Sequence, residues 1–293
     1  MPIGILLAFA AYLAFSFGDA AMKAVGDGLP VFEIGFFVSL FAFFPALCTK
    51  RPEDTWRNVI RPNRPKLLAL RVLFGVSGMI SAVVAFTTLP LAEAYALIFL
   101  LPLFVTIFSA VFLKETIGWR RWSAVTTGLL GVILVVRPGF ETIVPGHFAA
   151  LSCAICGAGT VITLRLIGSS ERRVTLIGAL LVGAVLVNGV LMLPDFVNPL
   201  PHLGLLVLAG ICQGLGQTGL VFATRAASAA TVAPVQYSQI VWAAILGAVF
   251  FLEYPDALAY AGMAIIAMSG LFTFARERRR TRWWQRTPLI RNR

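Results

Sequence analysis

Ten separate hydrophobic stretches run along the chain, and their length is the feature that most limits how it can fold. A helix needs about 20 apolar residues to cross the roughly 30 Å hydrocarbon core of a bilayer. Very short links, such as Leu89-Pro90, predict antiparallel neighbours. Windows of this length predict transmembrane helices at 3–24, 31–48, 67–88, 91–113, 120–136, 147–168, 174–194, 203–224, 229–252 and 257–275.

The low charge content supports a lipid environment over an aqueous one. The 293 residues are 59% hydrophobic and 13% charged, with a mean hydropathy of +0.88, whereas a soluble domain carries about 25% charged residues. The net charge of +11 lies between the apolar runs and in the C-terminal tail. Anionic lipid explains that placement better than nucleic acid does, so we expect the bilayer and no nucleic acid as a partner.

The basic residues predict the orientation of the chain. With the N-terminus in the cytoplasm, 22 of the 24 Lys and Arg residues fall in cytoplasmic segments, and only Lys23 and Arg137 do not. Such an asymmetry follows the positive-inside rule, and an odd number of helices would destroy it. We therefore expect ten helices with both termini in the cytoplasm, and Trp283 and Trp284 of the basic tail at the headgroup level.

Two stretches resemble each other at an offset close to half the chain. Phe86-Thr87-Thr88 to Glu115 and Phe222-Ala223-Thr224 to Glu253 both open with F-x-T, contain a proline within an apolar helix, and end in an aliphatic run with a glutamate. Because each half holds five helices, an odd number, the halves are inserted in opposite orientations. The predicted units are a first repeat at 1–139, an inverted second repeat at 140–275 and a cytoplasmic tail at 276–293.

An inverted repeat has a physical use in transport. Two similar units about a pseudo-twofold axis in the membrane plane enclose a site that they expose alternately to each side, a symmetry that a scaffold subunit does not need. Pro102 and Pro234 each remove a backbone hydrogen bond and are predicted hinges. Glu115 and Glu253 are expected to have structural or gating roles.

The segment Pro90–Gly139, PLAEAYALIFLLPLFVTIFSAVFLKETIGWRRWSAVTTGLLGVILVVRPG, closely resembles the EamA domain of the drug/metabolite transporter superfamily. The L-x-E, W-R-R-W and R-P-G elements are specific in combination. The second copy, from about Ala226 to Phe274, matches the same pattern more loosely. With the length and helix count, the resemblance covers nearly the whole chain.

The resemblance implies an all-α polytopic protein of a bacterial inner membrane, with two inverted five-helix repeats around a central cavity. It implies transport of small metabolites without ATP hydrolysis. Export of amino acids, including aromatic ones, is the leading hypothesis, by analogy of fold. Riboflavin, S-adenosylmethionine and nucleotide-sugars are alternative substrates. Uniport, proton coupling and exchange stay open, as do a monomer and a homodimer.

An intramembrane enzyme acting on lipid is the alternative from a different class. Hydrolysis needs a nucleophile with a base, or a metal, and His147 and His202 both lie at predicted external helix ends without an HExxH or GxSxG motif. Cys153 and Cys156 form a CxxC without a second Cys or His pair, and are interpreted as small apolar helix residues. No catalytic residue, metal or cofactor is predicted.

Helix 1 carries the first polar candidates for a site inside the bilayer. Tyr12, Ser16, Asp19 and Lys23 share one face, and Asp19 and Lys23 form an i,i+4 pair of opposite charge. Such a pair suits the amino and carboxylate groups of a zwitterion. A structural ion pair with Lys23 reaching towards water is the alternative.

The amide side chains of helices 8 and 9 are further candidates. Gln213 and Gln217 lie one turn apart beside several glycines, which equally favour close helix packing. Gln236 and Gln239, with Trp242, follow Pro234. Amides donate and accept hydrogen bonds, so these residues are predicted to line a polar cavity, with packing against a neighbouring helix as the alternative.

Helix 4 adds aromatic candidates. Tyr95, Phe99 and Pro102 share a face with Thr106 and Ser109. The two aromatic rings suit either stacking on a substrate or simple packing. Glu93 is expected to stabilise the helix N-terminus, with proton coupling as a further hypothesis. Arg71 and Arg165 are expected near the cytoplasmic interface. The predicted substrate-binding residues are Tyr12, Asp19, Tyr95, Phe99, Gln213, Gln217, Gln236, Gln239 and Trp242.

Overall fold

The computed structural model describes residues 3–47, 62–114, 119–136, 142–167, 170–226 and 232–269. Within these ranges the ordered elements are α-helices and short 3-10 turns. The predicted basic tail at 276–293 and Glu115 lie outside the described residues. The helices are α1 Ile3–Val25, α2 Val31–Leu47, α3 Pro65–Thr88, α4 Leu91–Ile98, α5 Leu101–Phe112, α6 Trp119–Val136, α7 Pro145–Ile167, α8 Arg173–Leu191, α9 Leu203–Ala226, α10 Ser238–Phe251 and α11 Ala257–Ser269.

These helices form ten apolar segments in the described part of the chain, matching the predicted number of spans. Six are long and apolar enough to cross a bilayer, with α4 and α5 counted together as Leu91–Phe112. The other four are shorter apolar helices at the places predicted for the remaining spans. Large apolar side chains on the outer surface, such as Leu6, Phe44 and Leu130, are 60% exposed or more and suit a lipid-facing surface. The all-α polytopic fold class is confirmed.

The fourth predicted span is broken, whereas the sequence suggested one face running from Tyr95 to Ser109. α4 ends at Ile98, and α5 begins at Leu101 with Pro102 in its first turn. Proline lacks the N–H that would bond the Ile98 carbonyl, and the regular helix is broken at this missing bond. The Phe99 N–H still bonds the Tyr95 carbonyl at 2.9 Å, so the break lies just beyond Phe99.

The ninth span shows a related interruption. The sequence predicted a helix over 229–252, but α10 begins only at Ser238, after a 3-10 turn over Ala233–Tyr237. Pro234 lies in the first turn of that segment, where a missing N–H costs nothing. Both predicted hinge prolines therefore stand where the regular α-helix is interrupted.

Glycines bring helices α2 and α9 into close contact. A Cβ atom at Gly210 would lie 2.8 Å from the Val38 carbonyl oxygen, and one at Gly214 would lie 2.7 Å from that of Ala42. α9 also makes the most extensive contact of α1, while α3 packs most extensively on α7. The glycines of α9 thus have the packing role that was the alternative to a polar cavity, and they place the neighbouring glutamines next to α1.

Candidate functional site

Asp19 is the centre of a buried polar network that joins four helices. Its carboxylate is 6% exposed. The Tyr95 hydroxyl of α4 donates to Oδ2, and the Gln213 amide of α9 donates to Oδ1 at 2.6 Å. The Gln239 amide of α10 donates in turn to the Tyr95 hydroxyl at 3.2 Å. Three of the predicted polar residues therefore converge on the predicted aspartate.

A stack of aromatic rings holds Tyr95 in this position. The Tyr95 ring lies 5.3 Å from that of Phe86 and 6.1 Å from that of Phe99, and Phe99 stacks at 5.2 Å on Tyr237. Both ring pairs that involve Phe99 are near parallel, which is a favourable offset arrangement. Phe99 thus supports Tyr95 from the position just after α4, at the break before Pro102.

A cavity of about 340 Å³ opens beside Asp19, between α1, α2, α3, α7, α8 and α9. Most of its wall is apolar, from side chains such as Phe74, Ala82 and Leu180. Gln217, another predicted residue, lines it with Gln213. The polar or polarisable side chains in the wall are Asp19, Met22, Ser39, Met79, Cys153, Thr160, Gln213 and Gln217.

Lys23 does not pair with Asp19, although the i,i+4 spacing predicted it. Its ammonium lies 2.8 Å from Glu253 Oε1 and donates to the Leu89 carbonyl at 2.5 Å. The spacing allows an intrahelical contact, but an ion pair with a carboxylate from another helix plus a backbone carbonyl gives the ammonium more partners. Among the described residues, Asp19 therefore has hydrogen-bond donors but no cationic partner.

Glu253 closes the bundle at the end where α1 finishes. Besides the ion pair with Lys23, its Oε2 accepts the Leu91 N–H at 2.9 Å. Leu252 before it adopts a left-handed conformation with φ of 56°, which ends α10 and turns Glu253 back to Gly247. We call Lys23, Leu89, Leu91 and Glu253 the end clamp, because together they join α1, the α3–α4 link and α10.

Glu93 has a partner that the sequence did not indicate. It lies in the first turn of α4 as expected, and its carboxylate meets His147 Nε2 of α7 at 2.8 Å. The pair lies at the same end of the bundle as the end clamp, since Glu93 is only two residues after Leu91. The pair joins α4 to α7, so Glu93 contacts a second helix in addition to lying at the N-terminus of its own.

The other predicted site residues lie away from the cavity wall. Tyr12 is buried in a small apolar cluster with Ala8, Ala223 and Val232. Trp242 packs edge-on against Phe9 at 5.7 Å. Gln236 is half-buried in the 3-10 turn before α10. Tyr12, Trp242 and Gln236 therefore lie outside the Asp19 network, at the periphery of α1 and α10.

Arg71 and Thr160 were not among the predicted site residues, yet they lie at the opposite end of the cavity from the end clamp. Thr160 lines the cavity, and an Arg71 guanidinium nitrogen donates to its carbonyl at 3.4 Å. The signal in the sequence is an arginine already one and a half turns inside the apolar stretch of α3, where charge is costly without a function. Arg71 was expected at the cytoplasmic interface because it lies near a helix end.

No group of three or more His, Cys, Asp or Glu side chains suited to a metal ion occurs in the ranges that the structure describes. Cys153 and Cys156 on α7 are both free. The arrangement offers a carboxylate and amides for binding a polar solute rather than for covalent chemistry.

Comparison with known proteins gives one family. Residues 2–137 match the EamA-like transporter family. The chain is 32% identical over 91% of its length to the pseudopaline exporter of Pseudomonas aeruginosa strain UCBPP-PA14, covering 94% of that protein. It is 28% identical over 94% of its length to an S-adenosylmethionine uptake transporter of Rickettsia bellii, covering 95% of it. A solved crystal structure at 19% identity aligns with a TM-score of 0.67 over 94% of this chain and 98% of that one, a likeness of fold.

Proposed function

Because the chain belongs to the EamA-like transporter family, we propose that it moves a small metabolite with a positively charged nitrogen by alternating access, with Asp19 as the group that binds the charge. As a member of that family it is a multi-pass membrane transporter and not an enzyme. The observation that carries the finer proposal is the Asp19 carboxylate, which is 6% exposed and bonded within a network of side chains from three other helices, with no cation beside it among the residues that the structure describes.

A buried carboxylate without a cation calls for a partner from outside the protein. Ionised groups inside a bilayer pair with one another or mark a substrate or proton pathway. Asp19 borders the cavity, so an ammonium group in the cavity has direct access to it. An amino acid supplies such a group, which keeps amino-acid export as one form of the proposal.

Competition for Asp19 provides a means of coupling. One carboxylate binds either a proton or the positive nitrogen of a substrate, so release of one favours binding of the other. Alternating exposure of the cavity then exchanges the two across the membrane. Proton exchange through Asp19 is our proposal for the coupling, and either direction of net transport is compatible with it.

The packing of the helices supports alternating access between inverted halves. Counting the spans from one to ten, the first packs on the eighth and the third packs on the sixth. Exchanging the two five-span halves converts one pair into the other, which is the relation that a pseudo-twofold axis requires. The end clamp closes one end of the bundle, so opening it and closing the other end is the proposed alternation.

Flux into proteoliposomes tests the proposal. A metabolite panel is screened by thermal stabilisation of the purified protein, and the hits are tested for flux with and without a proton gradient. We expect amine-bearing solutes to move, and Asp19→Asn to abolish both their flux and its dependence on the gradient. Glu171→Gln is the matched control, a carboxylate at the opposite end from the end clamp that accepts the Arg64 N–H at 2.6 Å.

Two results would contradict the proposal. Unchanged flux and gradient dependence in Asp19→Asn would exclude Asp19 as the coupling group. Chemical conversion of lipid without flux of any solute would favour the intramembrane enzyme instead.

A further inference from the structure

We propose that Arg71 and Thr160 form a carboxylate-binding subsite at the far end of the cavity, so that the substrate is an elongated zwitterion whose positive nitrogen lies at Asp19 and whose carboxylate lies roughly 10 Å away. This inference rests on the proposed function, because it takes Asp19 as the site of the positive nitrogen. It adds the substrate class and a second specificity-determining site.

Arg71 lies at the end of the cavity that is remote from the end clamp. Phe74 and Gly75 line the cavity wall, and Arg71 precedes them on α3 by three and four residues, which places the three side-chain positions on one helix face. Its guanidinium reaches across to α7, where it donates to the carbonyl of Thr160, a residue that also lines the cavity. Arg71 therefore lies next to the cavity rather than at the lipid surface.

The guanidinium has donors to spare. Arginine carries five N–H donors, yet within the described residues Arg71 makes a single hydrogen bond at 3.4 Å, at the weak limit for such a bond. Its Nε is buried without a partner, and so is the Thr160 hydroxyl oxygen. An unpaired charged donor beside an unpaired hydroxyl is a costly arrangement that one bound carboxylate would relieve.

Nearby acids are engaged elsewhere. Glu171, on the same side of the bundle as Arg71, accepts the backbone N–H of Arg64 at 2.6 Å. No carboxylate of the described residues pairs with Arg71. Among the described residues, Arg71 and Asp19 are thus both charged side chains in the interior of the bundle that lack a counter-charge. One is positive and the other is negative.

The spacing of the two charges follows from the helix contacts. Gly26, the residue after α1, abuts Thr87 of α3. Because α1 and α3 run in the same direction, Asp19, seven residues before Gly26, is level with about Ile80. Phe74 of α3 abuts Gly159, which precedes Thr160. Six residues of α3 at 1.5 Å each separate these levels by about 9 Å along the helix, so we take the separation of the two charges as roughly 10 Å.

That separation excludes the α-amino and α-carboxyl groups of one amino acid, which are joined by a single carbon. Three extended residues span about 10 Å, so the required molecule has the length of a tripeptide or of a long ω-amino acid. The wall between the two charges is formed by apolar side chains such as Phe74, Met79 and Leu180. We therefore expect an apolar middle section between the charged ends.

A length series of ω-amino acids on the unmodified protein tests the inference without a mutation. For each length, binding of the free acid is compared with that of its C-terminal amide and its N-acetyl derivative by titration calorimetry, and flux is measured in proteoliposomes. At a charge separation of about 10 Å, we expect the acid to bind about tenfold more tightly than its amide, because a charge-assisted hydrogen bond is lost in the amide. Glycine should show no such preference.

Substitutions at Arg71 assign the preference to this subsite. In Arg71→Gln the acid and the amide should bind equally, whereas Arg71→Lys should keep part of the preference. Thr160→Val, which keeps the size of the side chain, should reduce it. Arg165→Gln is the control, since this arginine of α7 donates to the Ser109 hydroxyl at 3.2 Å and should leave the preference unchanged.

The outcomes separate this inference from the proposed function. If amines bind and move but acid and amide are equal at every length, or if Arg71→Gln keeps the preference, the anion subsite is wrong and Asp19 transport stands. Loss of the preference in Arg165→Gln as well would mean a general charge effect and would also overturn it. If no amine-bearing ligand binds or moves, both proposals fail.

Discussion

The Lys23 ammonium of α1 lies 2.8 Å from the Glu253 carboxylate beyond α10, and this ion pair joins elements that are 230 positions apart in the chain. Both side chains are largely shielded, at 13% and 21% exposure. The Leu89 carbonyl and the Leu91 N–H complete the end clamp on the α3–α4 link. In the proposed alternation, opening this end of the bundle would separate these three contacts.

We predict that the two charges of the end clamp are energetically coupled. Lys23→Met and Glu253→Gln should each lower stability by about 1–2 kcal/mol, and the double variant should cost little more than either one, because each single change already removes the ion pair. Thermal or urea unfolding of the four proteins in the same detergent measures the coupling. Strict additivity of the two losses would show that the pair contributes nothing.

Removal of the Tyr95 hydroxyl should weaken the Asp19 site. Tyr95→Phe keeps the ring stack on Phe86 and Phe99 but removes the donor to Asp19 and the acceptor for Gln239. We expect about tenfold weaker binding of amine-bearing ligands, from the loss of hydrogen bonds to a charged group. Tyr260→Phe on α11, where the side chain is 50% exposed, is the control. Equal affinities of Tyr95→Phe and the unmodified protein would exclude the hydroxyl from the site.

The Glu93–His147 pair should stabilise the contact of α4 with α7. Glu93→Gln and His147→Gln should each lower the melting temperature by a few degrees, from a loss of about 1 kcal/mol. His202→Gln changes the other histidine of the chain and is the control. Its effect on stability should simply add to that of Glu93→Gln. Full additivity of Glu93→Gln with His147→Gln would contradict the pairing at 2.8 Å.

A small residue should be required at the α2–α9 contact. The Cβ of Gly210→Ala would approach the Val38 carbonyl to 2.8 Å and the Phe41 Cβ to 2.5 Å, so we expect a loss of about 1–3 kcal/mol from overpacking. Gly204→Ala on the same helix is the matched control, because nothing lies within 4 Å of its added Cβ. Comparison of their unfolding midpoints measures the effect. Equal stability of the two variants would show that α2 and α9 can accommodate a larger side chain at Gly210.

The polar residues of the Asp19 network were predictable one at a time. Charge or amide groups in apolar helices identify Asp19, Gln213 and Gln239, because such groups are costly in lipid. Tyr95 was predicted for its ring, whereas in the structure its hydroxyl contacts Asp19. Spacing within one helix also gave Lys23 the wrong partner, since the competing carboxylate of Glu253 lies in a distant segment of the sequence.

The sequence by itself determined the number of spans, their apolar faces and the family, because hydrophobic length and periodicity are local properties of a chain in a bilayer. Only the tertiary structure decided which charges meet. Helix periodicity states which residues share a face, but not which helix packs against that face, at what height or with what rotation. Those three quantities place Gln213 on Asp19 and Glu253 on Lys23, and they leave Asp19 and Arg71 without counter-charges within the described part of the chain.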